Sequence, residues 1–299
     1  MIINSTPLRQ KVEVTSYQSA RQKRRVQIRK TIRTRAVHHH HPRGSRRQRQ
    51  CARRGKKGCV YSEPEWVGRR RFSTTRIYIQ KDPGEIGVEE WYRVRTFDGG
   101  RVTHRFQQEV EIGLPYRMQL DLYEKAIHDN QDPEGWMQDE FAVELRYAFA
   151  DWGEIPGNPT IYEEYAFVPN SPDVLESKLL FGDDCRGWHW GVNFIHEQEL
   201  WGDKATEWGI SAGLSRTLID SKLSAGLEGK WTHPEGEPNE FILGPSIQWL
   251  PTANTHLDLV VMGGLNNASP NTECWLIFGF DFGAGTKKGY KPTTVGGGL

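Results

Sequence analysis

Glu197 and Glu199 stand two residues apart in the stretch His196-Glu-Gln-Glu199. In extended backbone they fall on one face, because side chains alternate with a period of two. Two carboxylates on one face are the equipment of a glycoside hydrolase, one acting as acid and the other as base or nucleophile. Other charges recur at the same short spacing: Arg117 and Asp121, Glu144 and Arg146, Glu228 and Lys230, with Asp258 further on. So many mixed-sign pairs fit a second reading equally well, in which they line a shared polar interior and bind neighbouring strands together. Metal-type donors occur in His38, His39, His40 and His41, with Cys51 and Cys59 nearby. The four cysteines, Cys51, Cys59, Cys185 and Cys274, contain no CxxC spacing of a zinc ribbon. We therefore expect no catalytic residue, no metal site and no cofactor, and assign the charged residues to a lumen.

The elements that would position these charges are strands. In residues 222–231, Leu223, Ala225, Leu227, Gly229 and Trp231 share one face, and Lys222, Ser224, Gly226, Glu228 and Lys230 share the other. Strict alternation over ten residues marks a strand with one apolar and one polar side. The same texture marks residues 117–123, 141–150, 190–200, 208–216, 241–249, 256–262 and 274–282. Weaker candidates span 72–80, 89–97, 101–114, 159–167 and 173–181. Turn signals such as Asp98-Gly-Gly100, Gly157-Asn-Pro159 and Pro234-Glu-Gly-Glu-Pro238 separate them. Short connections predict antiparallel neighbours in a meander.

The chain of 299 residues has a net charge of +1, which hides two opposed segments. Residues 1–71 carry 21 Lys/Arg against 3 Asp/Glu, and residues 72–299 carry 18 against 35. The basic segment is poor in apolar residues and lacks periodicity, so it is expected to be disordered, with a boundary near residue 72. It reads as an upstream or out-of-frame translation before the true domain. A phosphate-binding arm is the alternative, although few aromatics are present to stack bases and no nucleic-acid partner is expected. Residues 284–299 are expected to form a flexible tail. No apolar run approaches the ~20 residues of a transmembrane helix.

Three features point to a transmembrane barrel rather than a soluble sandwich. The strands approach the 9–11 residues that cross a bilayer when tilted. Their polar faces carry both signs of charge mixed with Gly and Ser, as a lumen requires. Trp152, Trp188, Trp190, Trp201, Trp208, Trp231, Trp249 and Trp275 fall near strand ends, where indoles form the girdles at membrane interfaces. The expected fold is all-β: an antiparallel up-and-down barrel of about twelve strands over residues 72–283. Arg117, Asp121, Glu144, Arg146, Glu197, Glu199, Glu228, Lys230 and Asp258 are expected to line it. The net negative charge predicts preference for cations or neutral solutes. The rival is a secreted all-β protein that binds or hydrolyses glycans, with tryptophans as stacking platforms.

The phrases Glu111-Ile-Gly-Leu-Pro115, Gln119-Leu-Asp-Leu-Tyr-Glu124, Glu144-Leu-Arg-Tyr-Ala148, Asn158-Pro-Thr-Ile-Tyr-Glu-Glu-Tyr165, Leu175-Glu-Ser-Lys-Leu-Leu180, Gly244-Pro-Ser-Ile-Gln-Trp249 and Phe278-Gly-Phe-Asp-Phe282 resemble a family of bacterial outer-membrane barrels. Its members are described as porin-like or transporter-like, some in connection with phenol degradation. The resemblance covers residues 88–283 and implies an outer-membrane location, lipid as the surrounding partner and passage of a small solute. It assigns no site residue. Such a family also implies a signal peptide, whose place the basic segment occupies.

Overall fold

The computed structural model describes residues 63–219 and 222–282. The basic stretch up to residue 62, the four histidines, Cys51, Cys59 and the expected C-terminal tail lie outside the described residues. Twelve strands follow one another: β1 (Ile86–Thr96), β2 (Val102–Leu114), β3 (Met118–Asp129), β4 (Met137–Ala148), β5 (Thr160–Phe167), β6 (Val174–Cys185), β7 (Trp188–Glu199), β8 (Thr206–Ile219), β9 (Leu223–Pro234), β10 (Glu240–Thr252), β11 (Thr255–Gly264) and β12 (Thr272–Phe282). Each pairs antiparallel with its chain neighbours, and β1 pairs with β12 to close the barrel. Closure leaves no unpaired sheet edge. The expected strand at 72–80 is absent. That segment lies inside the barrel.

With an even number of strands, β1 begins and β12 ends at the same rim. The connections there are mostly tight, with two residues between β6 and β7 and two between β10 and β11. The first of these, Arg186-Gly187, has φ of 55° and 80°, the left-handed pair that a two-residue hairpin demands. Connections at the opposite rim run five to seven residues.

The pleat decides which side chains look out. On β9, Leu227 is 52% exposed while its neighbour Glu228 is 1% exposed. Leu214, Leu243, Ile247, Val261, Leu276 and Phe278 are likewise exposed, and Ser215, Ser246, Asp258 and Glu273 are buried. Among the described residues the apolar faces therefore meet no second protein layer, and the single closed sheet overturns the sandwich alternative. An apolar surface of this extent marks an interaction site in any soluble protein, and a barrel in hydrocarbon needs it.

Candidate functional site

Residues 63–85 form a loop that enters from the short-turn rim, rises inside the barrel to an apex at Ser73 and Thr74, and returns. Its entry and exit lie near the same rim: Gly84 N–H donates to Gly113 O at 2.9 Å, and Trp66 packs edge-on against Trp152, with ring centroids 5.6 Å apart. Val67, Phe72, Ile77, Tyr78, Ala148 and Trp152 make a small apolar core there. Space for it comes from inward glycines. A Cβ on Gly213 would lie 2.4 Å from the Phe72 ring, and one on Gly182 would lie 2.2 Å from Ile77.

Charge holds this plug. Arg70 reaches Glu89 at 2.6 Å and Glu109 at 3.3 Å, with its guanidinium over the Trp91 ring. Arg76 reaches Glu109 at 2.7 Å and Glu144 at 3.5 Å. Lys81 bridges Glu111, at 3.0 Å, and Asp281. Arg71 donates to Ser215, at 2.8 Å, and to Ser224, at 2.5 Å. The plug backbone is clamped as well. Arg76 N–H donates to Asn193 Oδ1 at 2.8 Å, while Asn193 Nδ2 donates back to Arg76 O at 2.6 Å. Thr74 N–H donates to Glu228 at 2.9 Å. Buried charges are tolerated when paired and hydrogen-bonded, and each of these plug cations meets carboxylate or hydroxyl oxygens. Two carboxylate triplets, Glu89/Glu109/Glu111 and Glu109/Asp121/Glu144, have oxygens close enough to share a metal ion. Arg70, Arg76, Lys81 and Arg146 already face them.

Above the apex the lumen opens into a vestibule of about 380 Å³ toward the long-loop rim, with Ser73, Thr74 and Arg76 as its floor. Charges of both signs line it, together with Trp91, Tyr123, Tyr162 and Trp275. Among the described residues the lumen is thus blind, open at one rim and filled at the other.

The expected lumen residues divide among these zones. Asp121, Glu144 and Arg146 are fully buried at the plug, where Arg146 bonds Asp121 and reaches Glu144 at 2.7 Å. Glu228 holds the plug apex, and Asp258 accepts from Gln248 at 2.9 Å and contacts His256 at 2.5 Å. Glu197 and Lys230 line the vestibule. Glu199 stands at the long-loop rim and accepts the Ala205 N–H at 3.1 Å. Arg117 departs from expectation: it sits in the β2–β3 turn with φ of 61° and bridges Asp151 at 3.2 Å. The turn turns its side chain to the rim, where hydrogen bonds to Tyr147 and Asp151 raise its pKa.

Of the tryptophans, Trp188 and Trp249 face outward at the short-turn rim, and Trp201, Trp208 and Trp231 lie at the other, with Trp190 outward on β7. Two differ. Trp152 is buried against the plug, and Trp275 points into the lumen, donating to Glu273 at 2.6 Å. Trp275 has the same parity as Ile277 and Asp281, which its position near a strand end concealed.

Sequence reasoning placed the domain boundary at residue 72, yet Arg69, Arg70 and Arg71 are buried inside the barrel. It also passed over Glu89, Glu109, Glu111, Arg93, Arg95 and Arg105. The alternate charges of Glu89-x-Trp-x-Arg-x-Arg95 and Arg105-x-Gln-x-Glu-x-Glu111 were the available signal, muted by polar residues at intervening positions.

Neither a protein-family model nor a curated protein sequence matches the chain. Solved structures do. An outer-membrane channel from Pseudomonas putida F1 aligns with a TM-score of 0.50 at 11% identity, over 69% of this chain and 98% of the channel. The NanC porin aligns at 0.46 and 12% identity, over 66% of this chain and 99% of that porin. The KdgM porin aligns at 0.44 and 10% identity, over 65% and 99%. At these identities the likeness to the Pseudomonas putida channel shows the fold alone, a closed antiparallel β-barrel. None of the three is described in terms of phenol degradation.

Proposed function

We propose that this barrel lies in a bacterial outer membrane and passes or binds a small solute through its lumen. One observation carries the reading: the exposed apolar wall encloses a charged interior with a vestibule at one rim. A lipid-facing Arg or Lys costs about 2–4 kcal/mol at the midplane, and such charges are confined here to the inner face and the rims of β8–β12. The outward tryptophans at the two rims then sit at the two interfaces. Short turns are the periplasmic pattern and longer loops the extracellular one, so the vestibule faces outward and the plug faces the cell.

The neighbours named above are channels and porins. Passage requires residues 63–85 to shift, because they fill the inner half. The test is direct. The protein should enter the membrane fraction, need detergent for extraction, and yield conductance steps in a planar bilayer once residues 63–85 are released. Purification as a stable monomer without detergent would overturn the membrane reading.

A further inference from the structure

The vestibule carries a charge arrangement that its own ion pairs do not exhaust. Arg93 and Arg95 project from β1, and Arg105 from β2. Arg93 and Arg105 are direct register partners. Like charges placed opposite each other across a strand pair are destabilising. Arg105 is compensated by Asp139 at 2.9 Å, and Arg95 by Glu273. Arg93 is not: among the described residues no carboxylate lies within 4 Å of its guanidinium, which stands 5.2 Å from the centroid of the Trp275 ring.

The facing wall has the opposite excess. Glu176, Glu197 and Glu207 are successive register partners on β6, β7 and β8. Glu176 is bound by Lys178 at 2.5 Å. Glu197 and Glu207 have no cation within 4 Å among the described residues, and Lys230 is the nearby ammonium outside any ion pair of that wall. In a closed ring of twelve strands, β1 lies opposite β7 and β2 opposite β8. Arg93, Arg105, Glu176, Glu197, Glu207 and Lys230 line one cavity of about 380 Å³. A guanidinium with no carboxylate within 4 Å therefore faces two carboxylates that share only the nearby Lys230 ammonium, with the Trp275 ring beside the guanidinium.

We propose that the vestibule is a binding site for small zwitterions, solutes carrying one carboxylate and one ammonium group, as amino acids and short peptides do. The carboxylate docks on Arg93 at the β1–β2 wall. The ammonium docks on Glu197 and Glu207 at the β7–β8 wall. A guanidinium offers a planar donor fork suited to carboxylate, and two adjacent carboxylates suit a compact ammonium. The field between the walls orients such a solute across the lumen above the plug. A solute with a single charge meets one favourable wall and leaves the other unmatched. This rests on the reading of the vestibule as the mouth of the barrel, and it adds the class of solute.

Four solutes of matched length test it: 6-aminohexanoate, hexanoate, hexylamine and hexanol, titrated by calorimetry into the purified full-length protein in detergent. The zwitterion should bind roughly tenfold more tightly than either singly charged analogue, as expected for one charge-assisted contact. Arg93→Gln should bring 6-aminohexanoate down to the affinity of hexylamine and leave hexylamine unchanged. The double variant Glu197→Gln with Glu207→Gln should bring it down to that of hexanoate. Circular dichroism of each variant establishes that the barrel is folded. Equal binding of 6-aminohexanoate and hexanoate, or an equal loss for all four solutes in Arg93→Gln, overturns the proposal. Bilayer conductance separates it from solute passage: a conducting barrel with no preference for the zwitterion overturns this site alone. A barrel that binds the zwitterion but never conducts keeps the site and overturns passage.

Discussion

The two halves of the lumen are walled by the same alternating strands, yet they balance charge by different means. In the inner half the wall is acidic, with Glu89, Glu109, Glu111, Asp121, Glu144 and Asp281, and the compensating cations come largely from a separate segment through Arg69, Arg70, Arg76 and Lys81. In the outer half the wall compensates itself in part, through Arg95 with Glu273, Lys125 with Glu140 and Lys178 with Glu176, and leaves Arg93, Glu197 and Glu207 outside its ion pairs. The first half is filled by the plug, and the second is open. A buried carboxylate without a partner is costly, so the inner half depends on its plug, whereas water serves the outer half.

This contrast can be broken most forcefully by deleting residues 63–85. The barrel should then pass from closed to steadily conducting in a planar bilayer. With the acidic wall uncovered, the reversal potential under a salt gradient should show strong cation selectivity. Unchanged conductance would mean that the plug does not block the pore. Next in size, Arg146→Leu strands the fully buried Asp121 and Glu144. Its expected cost is about 3–5 kcal/mol, read from denaturant-induced unfolding in detergent. A smaller effect should follow Gly213→Ala, whose new Cβ meets Phe72. Overpacking of this kind costs about 1–3 kcal/mol, and here it should appear as partial release of the plug, seen as raised conductance and faster proteolysis within 63–85. The smallest effect belongs to the vestibule: Lys125→Met removes the partner of Glu140 in a pair that borders the open cavity. About 1 kcal/mol or less is expected. A loss as large as that of Arg146→Leu would dissolve the distinction between the two halves.

The strands and their facing were legible because both are local. The apolar and polar sets of β9 separate at a period of two within ten residues, and no distant contact is needed to read them. Glu228 and Asp258 could be assigned to the interior on parity alone. Trp275 could not be read so simply. It shares the parity of Asp281, but its place near a strand end matched the girdle pattern. Arg117 failed for another reason: a left-handed turn at residues 116–117 interrupts the alternation.

The sequence by itself determined that the segments are extended with one greasy and one wet side, because alternation is a property of neighbouring residues; closure came from the pairing of β1 with β12. It also determined the opposed charges of the front and rear of the chain. Only the tertiary structure decided that part of the basic front and the acidic wall belong together. Arg69 meets Asp281 at 3.6 Å and Arg70 meets Glu109 at 3.3 Å, pairs far apart along the chain. Nothing within the run Arg69-Arg-Arg71 distinguishes a solvated tail from a buried plug. The difference is set by carboxylates and glycines that closure of the barrel carries to the same place.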